Sequence, residues 1–197
     1  MSFATGRERE RLVSTLIAAV AAEYRRYKAL AEGALDQVTA PQLSQPGPGG
    51  GNSLAVICWH LSGNLRSRFT DFLESDGEKS WRQREEEFAP RTVTRDELLA
   101  KWQQGWDVLL ATLDTLSDED LHKSVVIRGQ PLAVHEALLR SLAHTSYHVG
   151  QIVTLAREFV GSRWRYLSIP PGGSAAYNAN PRFETPDAQA GAVKEKG

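Results

Sequence analysis

Three histidines in this chain have the side-chain type and the spacing to bind a metal ion. His144 and His148 are spaced i, i+4 in a stretch with helical periodicity, which places both imidazoles on one helix face about one turn apart. His60 lies in a second helical stretch. Neutral imidazole is a common ligand for zinc and similar divalent ions. Three imidazoles leave a coordination position open for water, which is the ligand count of a catalytic site rather than a closed structural one.

The spacing alone leaves two interpretations open. A single histidine on an apolar helix face is usually a hydrogen-bonded core residue, whereas two buried imidazoles side by side need partners that a metal ion supplies to both. A zincin helix would carry a glutamate directly after its first histidine, but here Thr145 follows His144, so that general base is missing. Zinc lowers the pKa of a bound water to ~7, so a water nucleophile stays feasible if another residue accepts the proton. His122 and His135 lie in polar surroundings and are predicted to be at the surface.

Composition and charge exclude several classes of protein. The chain has 197 residues, enough for one domain, and its 23 Lys+Arg balance 24 Asp+Glu with no long basic run. We therefore expect no nucleic-acid partner, and we expect no membrane partner because every apolar run falls short of the ~20 residues of a membrane span. Charged residues stand where a signal peptide would have its apolar stretch. Cys58 is the single cysteine, which excludes an intrachain disulfide and favours a cytoplasmic protein.

Four segments with helical periodicity predict an all-α fold. They cover roughly residues 6–34, with an apolar stripe that includes Leu12, and residues 54–72, 94–116 and 134–160. Ser53 is a predicted N-cap, and Thr94 and Glu97 form a predicted capping box. A short β-like stretch at residues 124–132 predicts a hairpin around Arg128 and Gly129, just before the last long helix.

The last part of the chain is predicted to be an extended tail. Residues 164–177 are rich in aromatic and apolar side chains, so we expect this tail to pack back on the helices. Either it walls the metal pocket, with Ser174 and Tyr177 as candidates for substrate contact, or it covers apolar helix surface or a partner subunit. We place the domain at residues 1–180 and expect residues 181–197 to be a polar, flexible end.

Three stretches of the chain resemble the DinB/YfiT-like superfamily. They are NSLAVICWHLSGNL at 52–65, which contains His60, HTSYHVGQI at 144–152, and LSIPPGGSAAYN at 167–178. The first two match the superfamily's second-helix histidine and its fourth-helix His-x3-His-x-Gly-Gln motif. The third, together with the Arg/Glu-rich connection before the third helix, is similar to a subfamily known only as a domain of unknown function. The likeness spans roughly residues 8–180.

The resemblance implies a four-helix bundle with one divalent metal bound by His60, His144 and His148. Zinc or nickel suits three imidazoles. Asn64 and Gln151 lie one turn beyond ligands, where each can orient a ligand or the substrate. Some relatives use a low-molecular-weight thiol such as mycothiol or bacillithiol, and others have no known reaction. We therefore expect a metal-dependent hydrolase or a thiol-dependent transferase that acts on a small molecule; the alternative is a non-catalytic bundle with a structural metal. Relatives often pair through bundle helices, so we also expect a homodimer.

Overall fold

The computed structural model describes residues 15–195, which are mostly helical. The described chain contains eight α-helices and one two-stranded sheet. The four long helices are α1 (Leu16–Leu35), α3 (Leu54–Phe69), α5 (Arg95–Thr115) and α6 (Val134–Val160). The four short helices are α2 (Ala40–Ser44), α4 (Arg84–Glu87), α7 (Ser174–Ala179) and α8 (Pro186–Lys194). Leu12 and the predicted start of the first helix lie outside the described residues.

Side-chain caps fix where two long helices begin, as the sequence predicts. Ser53 Oγ accepts a hydrogen bond from the Val56 amide at the start of α3. Thr94 and Glu97 form the capping box of α5, in which each side chain accepts from the other residue's amide. The sequence predicts that α3 extends to residue 72, but the helix ends at Phe69. Asp71 takes a positive φ of 46°, which turns the chain away from the helix.

The long helices pack against one another around an aromatic core. Helix α1 contacts α5 and α6, and α3 contacts α5 and α6. The close approach of α3 and α5 depends on Gly105, since a Cβ there would lie 2.6 Å from Ser62 Cα. The largest fully buried aromatic side chains come from α1, α3 and α5: Tyr24, Phe69, Trp102 and Trp106. This packing sets the relative positions of α3 and α6, which carry the three histidines.

The predicted hairpin is present. Strands β1 (Ser124–Ile127) and β2 (Gln130–Ala133) pair antiparallel, and Arg128 and Gly129 between them both have positive φ, as a two-residue type I′ turn requires. The Asp76 carboxylate accepts hydrogen bonds from the Arg128 and Gly129 amides at 2.8 and 2.7 Å. The Gly77 amide donates to the Val126 carbonyl at 2.7 Å. The chain after α3 is thus tied to the hairpin.

The C-terminal part of the chain packs along α1. Leu167 and Val193 are buried, and a Cβ at Gly33 would lie 2.6 Å from Val193. A flexible end was expected after residue 180, but the structure has helix α8 there, begun by the Thr185 cap and a proline. Its buried face consists only of Ala190 and Val193, too little apolar surface for a periodicity to show in the sequence. None of the described helices combines the length and the apolar character that a membrane span needs.

Candidate metal centre

The three histidines predicted as ligands lie together at the contact between α3 and α6. His144 Nε2 lies 3.2 Å from His60 Nε2 and 3.2 Å from His148 Nε2. One ligand atom from each of the three histidines lies within 4.8 Å of the other two. His60 is buried, whereas His144 and His148 are partly buried. The i, i+4 spacing on α6 brings the second pair together, and helix packing brings His60 to it.

Hydrogen bonds at the outer nitrogens fix the orientation of two rings. Glu87 Oε2 lies 3.0 Å from His60 Nδ1, and Gln151 Oε1 lies 2.7 Å from His148 Nδ1. Both partners are oxygen acceptors, so each Nδ1 donates, and the Gln151 amide nitrogen donates in turn to the Tyr147 hydroxyl at 3.2 Å. A neutral imidazole protonated at Nδ1 has its lone pair on Nε2. Both rings therefore direct a lone pair at His144.

Glu87 is itself held by a buried arginine. Arg82 donates from Nε and Nη2 to the two oxygens of Glu87, at 2.8 and 2.9 Å. Burial acts to raise the pKa of Glu87, but hydrogen bonds from Arg82 and His60 outweigh it and hold that pKa below its usual value. Gly63 makes room for this carboxylate, since a Cβ there would lie 2.6 Å from Glu87 Cδ.

The environment favours unprotonated imidazoles on α6. Burial, together with the positive charge that His148 and His60 would carry, lowers the pKa of His144 from 6.5 to about 3. Burial also lowers the pKa of His148, against the opposing effect of its hydrogen bond to Gln151. Neutral imidazole is the form that binds a metal ion.

The geometry of the cluster fits a bound divalent ion. Two nitrogens bound tetrahedrally at the zinc–imidazole distance of 2.0–2.1 Å lie about 3.3 Å apart, close to the 3.2 Å of both His144 contacts. Without an ion, a neutral His144 can donate from Nε2 to only one of the two lone pairs it faces. The buried Nδ1 of His144 also has no hydrogen-bond partner in the described chain. Imidazole nitrogens are ligands that suit zinc and nickel among other divalent transition metals.

A cavity of about 310 Å³ opens beside the histidines. All three rings line it, together with Asn64. The His60 ring also stacks near Phe88, with ring centroids 4.5 Å apart. A small molecule in the cavity can therefore reach the histidine rings.

The structure places the other predicted site residues at different distances from this cluster. Gln151 bonds to His148, whereas Asn64 lines the cavity and its side chain forms no hydrogen bond with residues 15–195. Ser174 and Tyr177 do not line the cavity. Ser174 begins α7, and the Tyr177 hydroxyl donates to Glu184 at 2.6 Å. In the tail, Leu167 packs against Gly33 of α1 and Arg165 hydrogen-bonds to Gln37, whereas Ser174 is exposed; substrate contact by Ser174 and Tyr177 stays a prediction.

Sequence reasoning missed Glu87 and Arg82. Both lie in the connection between α3 and α5, whose one helix, α4, is too short for periodicity to show which side chains point inward. The signal available was the concentration of arginine and glutamate at residues 82–87, directly after a tryptophan. A charged segment of that kind is usually solvated, yet here the Arg82 side chain is only 2% exposed.

Comparison with known proteins gives one match. The family model described as "Protein of unknown function (DUF1572)" matches residues 12–173. The chain belongs to this family. All three histidines, Glu87 and Arg82 lie within the DUF1572 match. No curated protein and no solved structure shows significant similarity to the chain.

Proposed function

We propose that this DUF1572 protein binds one divalent metal ion, zinc or nickel, through His60, His144 and His148 and is a metal-dependent enzyme. In this proposal the four long helices form a four-helix bundle of the DinB/YfiT type. The reaction uses a water or a low-molecular-weight thiol on a small-molecule substrate, as a hydrolase or a thiol-dependent transferase. We also propose that the protein is a homodimer and that it is cytoplasmic. The cytoplasmic location is in keeping with the buried free thiol of Cys58.

One observation carries the metal proposal. The Nε2 atom of His144 lies 3.2 Å from two other Nε2 atoms, both on rings that donate from Nδ1. His144 Nε2 can donate to only one of the two lone pairs that it faces, so at least one of those contacts has no proton between its two nitrogens unless a cation lies there. Protonating the α6 imidazoles is disfavoured by their lowered pKa values. A metal ion satisfies all three nitrogens at once.

The cavity supports a catalytic role over a structural one. A divalent ion at this position supplies Lewis-acid chemistry, which lowers the pKa of a water or thiol bound to it. Glu87 and Gln151 hold His60 and His148 by their outer nitrogens and keep each Nε2 pointed at the site. The cavity of about 310 Å³ leaves the open side accessible to substrate.

The chain's own residues favour a thiol over a water as nucleophile. No carboxylate lines the cavity in the part of the chain that the structure describes, and Glu87 is engaged by His60 and Arg82. Bound to a divalent ion, a thiol would be deprotonated outright, whereas water would keep a pKa of ~7 and would gain more from a protein base. The thiol-dependent transferase is therefore the favoured form of the proposal.

Metal titration of the purified chain tests the binding step. We expect about one zinc or nickel ion per chain after equilibrium dialysis, and we expect His148→Ala to lose it because only two imidazoles remain. His122→Ala is the matched control, since His122 lies at the surface beside His135 and away from the cluster. The proposal is wrong if elemental analysis finds no retained metal in the wild-type protein after loading.

A second assay separates the enzyme from a structural metal site. Metal-loaded protein is incubated with N-acetylcysteine and an aryl halide electrophile, and the loss of free thiol is followed. We expect consumption that requires the metal and disappears in His148→Ala. Metal-loaded protein that leaves the thiol at the rate of the protein-free control would support the structural alternative.

A further inference from the structure

The cavity beside the histidines is strongly cationic. Five arginines line it, and they come from α3, the connection that includes α4, the hairpin turn and α6: Arg68, Arg82, Arg84, Arg128 and Arg140. No aspartate or glutamate of residues 15–195 is part of the lining. Since four separate segments of the chain contribute these arginines, their convergence is a property of the fold and not of a local sequence run.

Nearby carboxylates neutralise only part of this charge. Glu78 accepts from Arg68 at 3.1 Å and from Arg128 at 2.9 Å, so one carboxylate serves two guanidiniums. Glu87 pairs with Arg82, and Glu85 pairs with Arg84 at 2.9 Å. Around the cavity, three carboxylates thus pair with four guanidiniums, a fourth carboxylate, Asp76, lies near Arg68 and the Arg128 amide, and Arg140 has no ion-pair partner in the described chain. A positive potential remains inside it, which low-dielectric walls strengthen.

Two of the arginines have binding capacity to spare. Arg82 Nη1 is buried and has no hydrogen-bond partner in the described chain, and the Glu78 oxygen paired with it is 3.6 Å away. Arg140 forms no ion pair with any residue of the described chain and is exposed at the cavity edge. It precedes His144 by one helical turn, about 6 Å along the axis. A guanidinium is the side chain best matched to a planar or tetrahedral oxyanion.

Most of the remaining lining residues, apart from the histidines, are apolar. They are Phe69, Phe72, Phe88, Ile127 and Ala137. The volume of about 310 Å³ is at the small end of ligand cavities. Such a cavity fits a compact molecule with one charged end and one apolar part.

We propose that the substrate is a small organic anion whose carboxylate or phosphate group binds at the arginines, with Arg140 as a specificity-determining contact, and whose apolar part lies against the phenylalanines. This inference rests on the proposed metal-dependent function, because it places the reacting atom of that substrate at the three histidines. Arg140 and the histidines share one face of α6, so a compact ligand spans both. The arginines then select for charge, and the phenylalanines limit size and shape.

Binding of matched charged and neutral probes tests this inference. The probes are 3-phenylpropionate, phenyl phosphate and 3-phenylpropionamide, titrated into the full chain by calorimetry in metal-free and zinc-loaded form. The metal-free arm matters because an anion can bind zinc directly. We expect both anions to bind the metal-free protein and the neutral amide to bind at least about tenfold more weakly. The tighter of the two anions identifies the source as a carboxylate or a phosphate ester.

Variants of Arg140 test the assigned contact. We expect Arg140→Gln to weaken anion binding about tenfold and Arg140→Glu to abolish it. Arg157→Gln is the matched control, because it removes the same charge from the same helix but Arg157 contacts Tyr166 and does not line the cavity. Both positions are exposed, so the fold should be retained, which circular dichroism verifies.

The outcomes separate this inference from the metal proposal. Equal affinity for 3-phenylpropionate and 3-phenylpropionamide, or unchanged anion binding in Arg140→Gln, overturns the inference even if zinc binds normally. Zinc affinity in Arg140→Gln should match the wild type, since Arg140 is not a ligand. Failure of zinc to bind at all overturns the metal proposal, while the anion comparison on metal-free protein still decides whether the cavity selects charge.

Discussion

Replacing Glu87 by glutamine tests how the outer hydrogen bonds hold the site. Glu87 accepts three hydrogen bonds, from Arg82 Nε at 2.8 Å, Arg82 Nη2 at 2.9 Å and His60 Nδ1 at 3.0 Å. A glutamine has one acceptor oxygen and places an NH2 group where the second oxygen was, so at least one donor then faces a donor. Removing such a partner from a metal-ligating histidine typically costs 10–100-fold in affinity, which is about 1.4–2.7 kcal/mol.

The same substitution should also lower the free energy of unfolding. The Arg82 side chain is 2% exposed and that of Glu87 is 9% exposed, so solvent screens the pair little. Breaking a buried ion pair by removing one charge costs about 3–5 kcal/mol. Glu78 lies near Arg82 and partly compensates its charge, so we expect a loss of unfolding free energy near the low end of that range. A domain of ordinary stability remains folded after this loss.

The assay is zinc competition against a chromophoric chelator, with urea unfolding of the metal-free protein alongside. Glu86→Gln is the matched control, because Glu86 is the exposed neighbour and makes no side-chain bond to the cluster. We expect the control to match the wild type in both measurements. A Glu87→Gln zinc affinity within about twofold of the wild type would refute the assigned role of this carboxylate.

Four further predictions follow from the geometry. Gly63→Ala should weaken zinc binding about tenfold in the same competition assay, because its Cβ would lie 2.6 Å from Glu87 Cδ. A chelator should leave the helical circular dichroism signal intact, since the apolar core stands without the metal; melting at room temperature would contradict this. The free energy of unfolding of metal-free protein should decrease as the pH is lowered from ~6.5 towards ~3, because the lowered pKa of His144, about 3, lets the unfolded chain take up a proton that the folded chain does not; a flat profile in urea unfolding would count against it. Sedimentation should show a dimer, for which the exposed Leu139 and Tyr147 on α6 provide apolar surface; a species of only 21.8 kDa at micromolar concentration would exclude it.

The sequence predicts those parts of the molecule that depend on local patterns. The bounds of α5 and α6, the Ser53 and Thr94 caps and the turn at Arg128 and Gly129 follow from capping, periodicity and turn chemistry, all of which act over a few residues. The pairing of His144 with His148 is equally local, because one helical turn separates them.

The parts that the sequence does not predict depend on packing between distant segments. Glu87 reaches His60 from the four-residue helix α4, which is too short for a periodicity to mark the side chain as buried. The cationic cavity collects arginines from segments up to 72 residues apart, such as Arg68 and Arg140, each unremarkable in its own segment. Helix α8 is missed for a different reason, since its small buried face carries only a weak apolar pattern. Long-range geometry, not residue type, decides where Glu87 and the cavity arginines lie.

X-ray absorption on zinc-loaded protein tests the central claim most directly, because it reports the ligands around the metal. With one zinc per chain, we predict a first shell of nitrogen and oxygen atoms at about 2.0–2.1 Å, with the multiple-scattering signal of three imidazoles. His148→Ala should reduce or abolish that signal, and His122→Ala should leave it unchanged. A first shell of oxygen atoms without imidazole scattering in the wild-type protein would show that His60, His144 and His148 do not hold the metal.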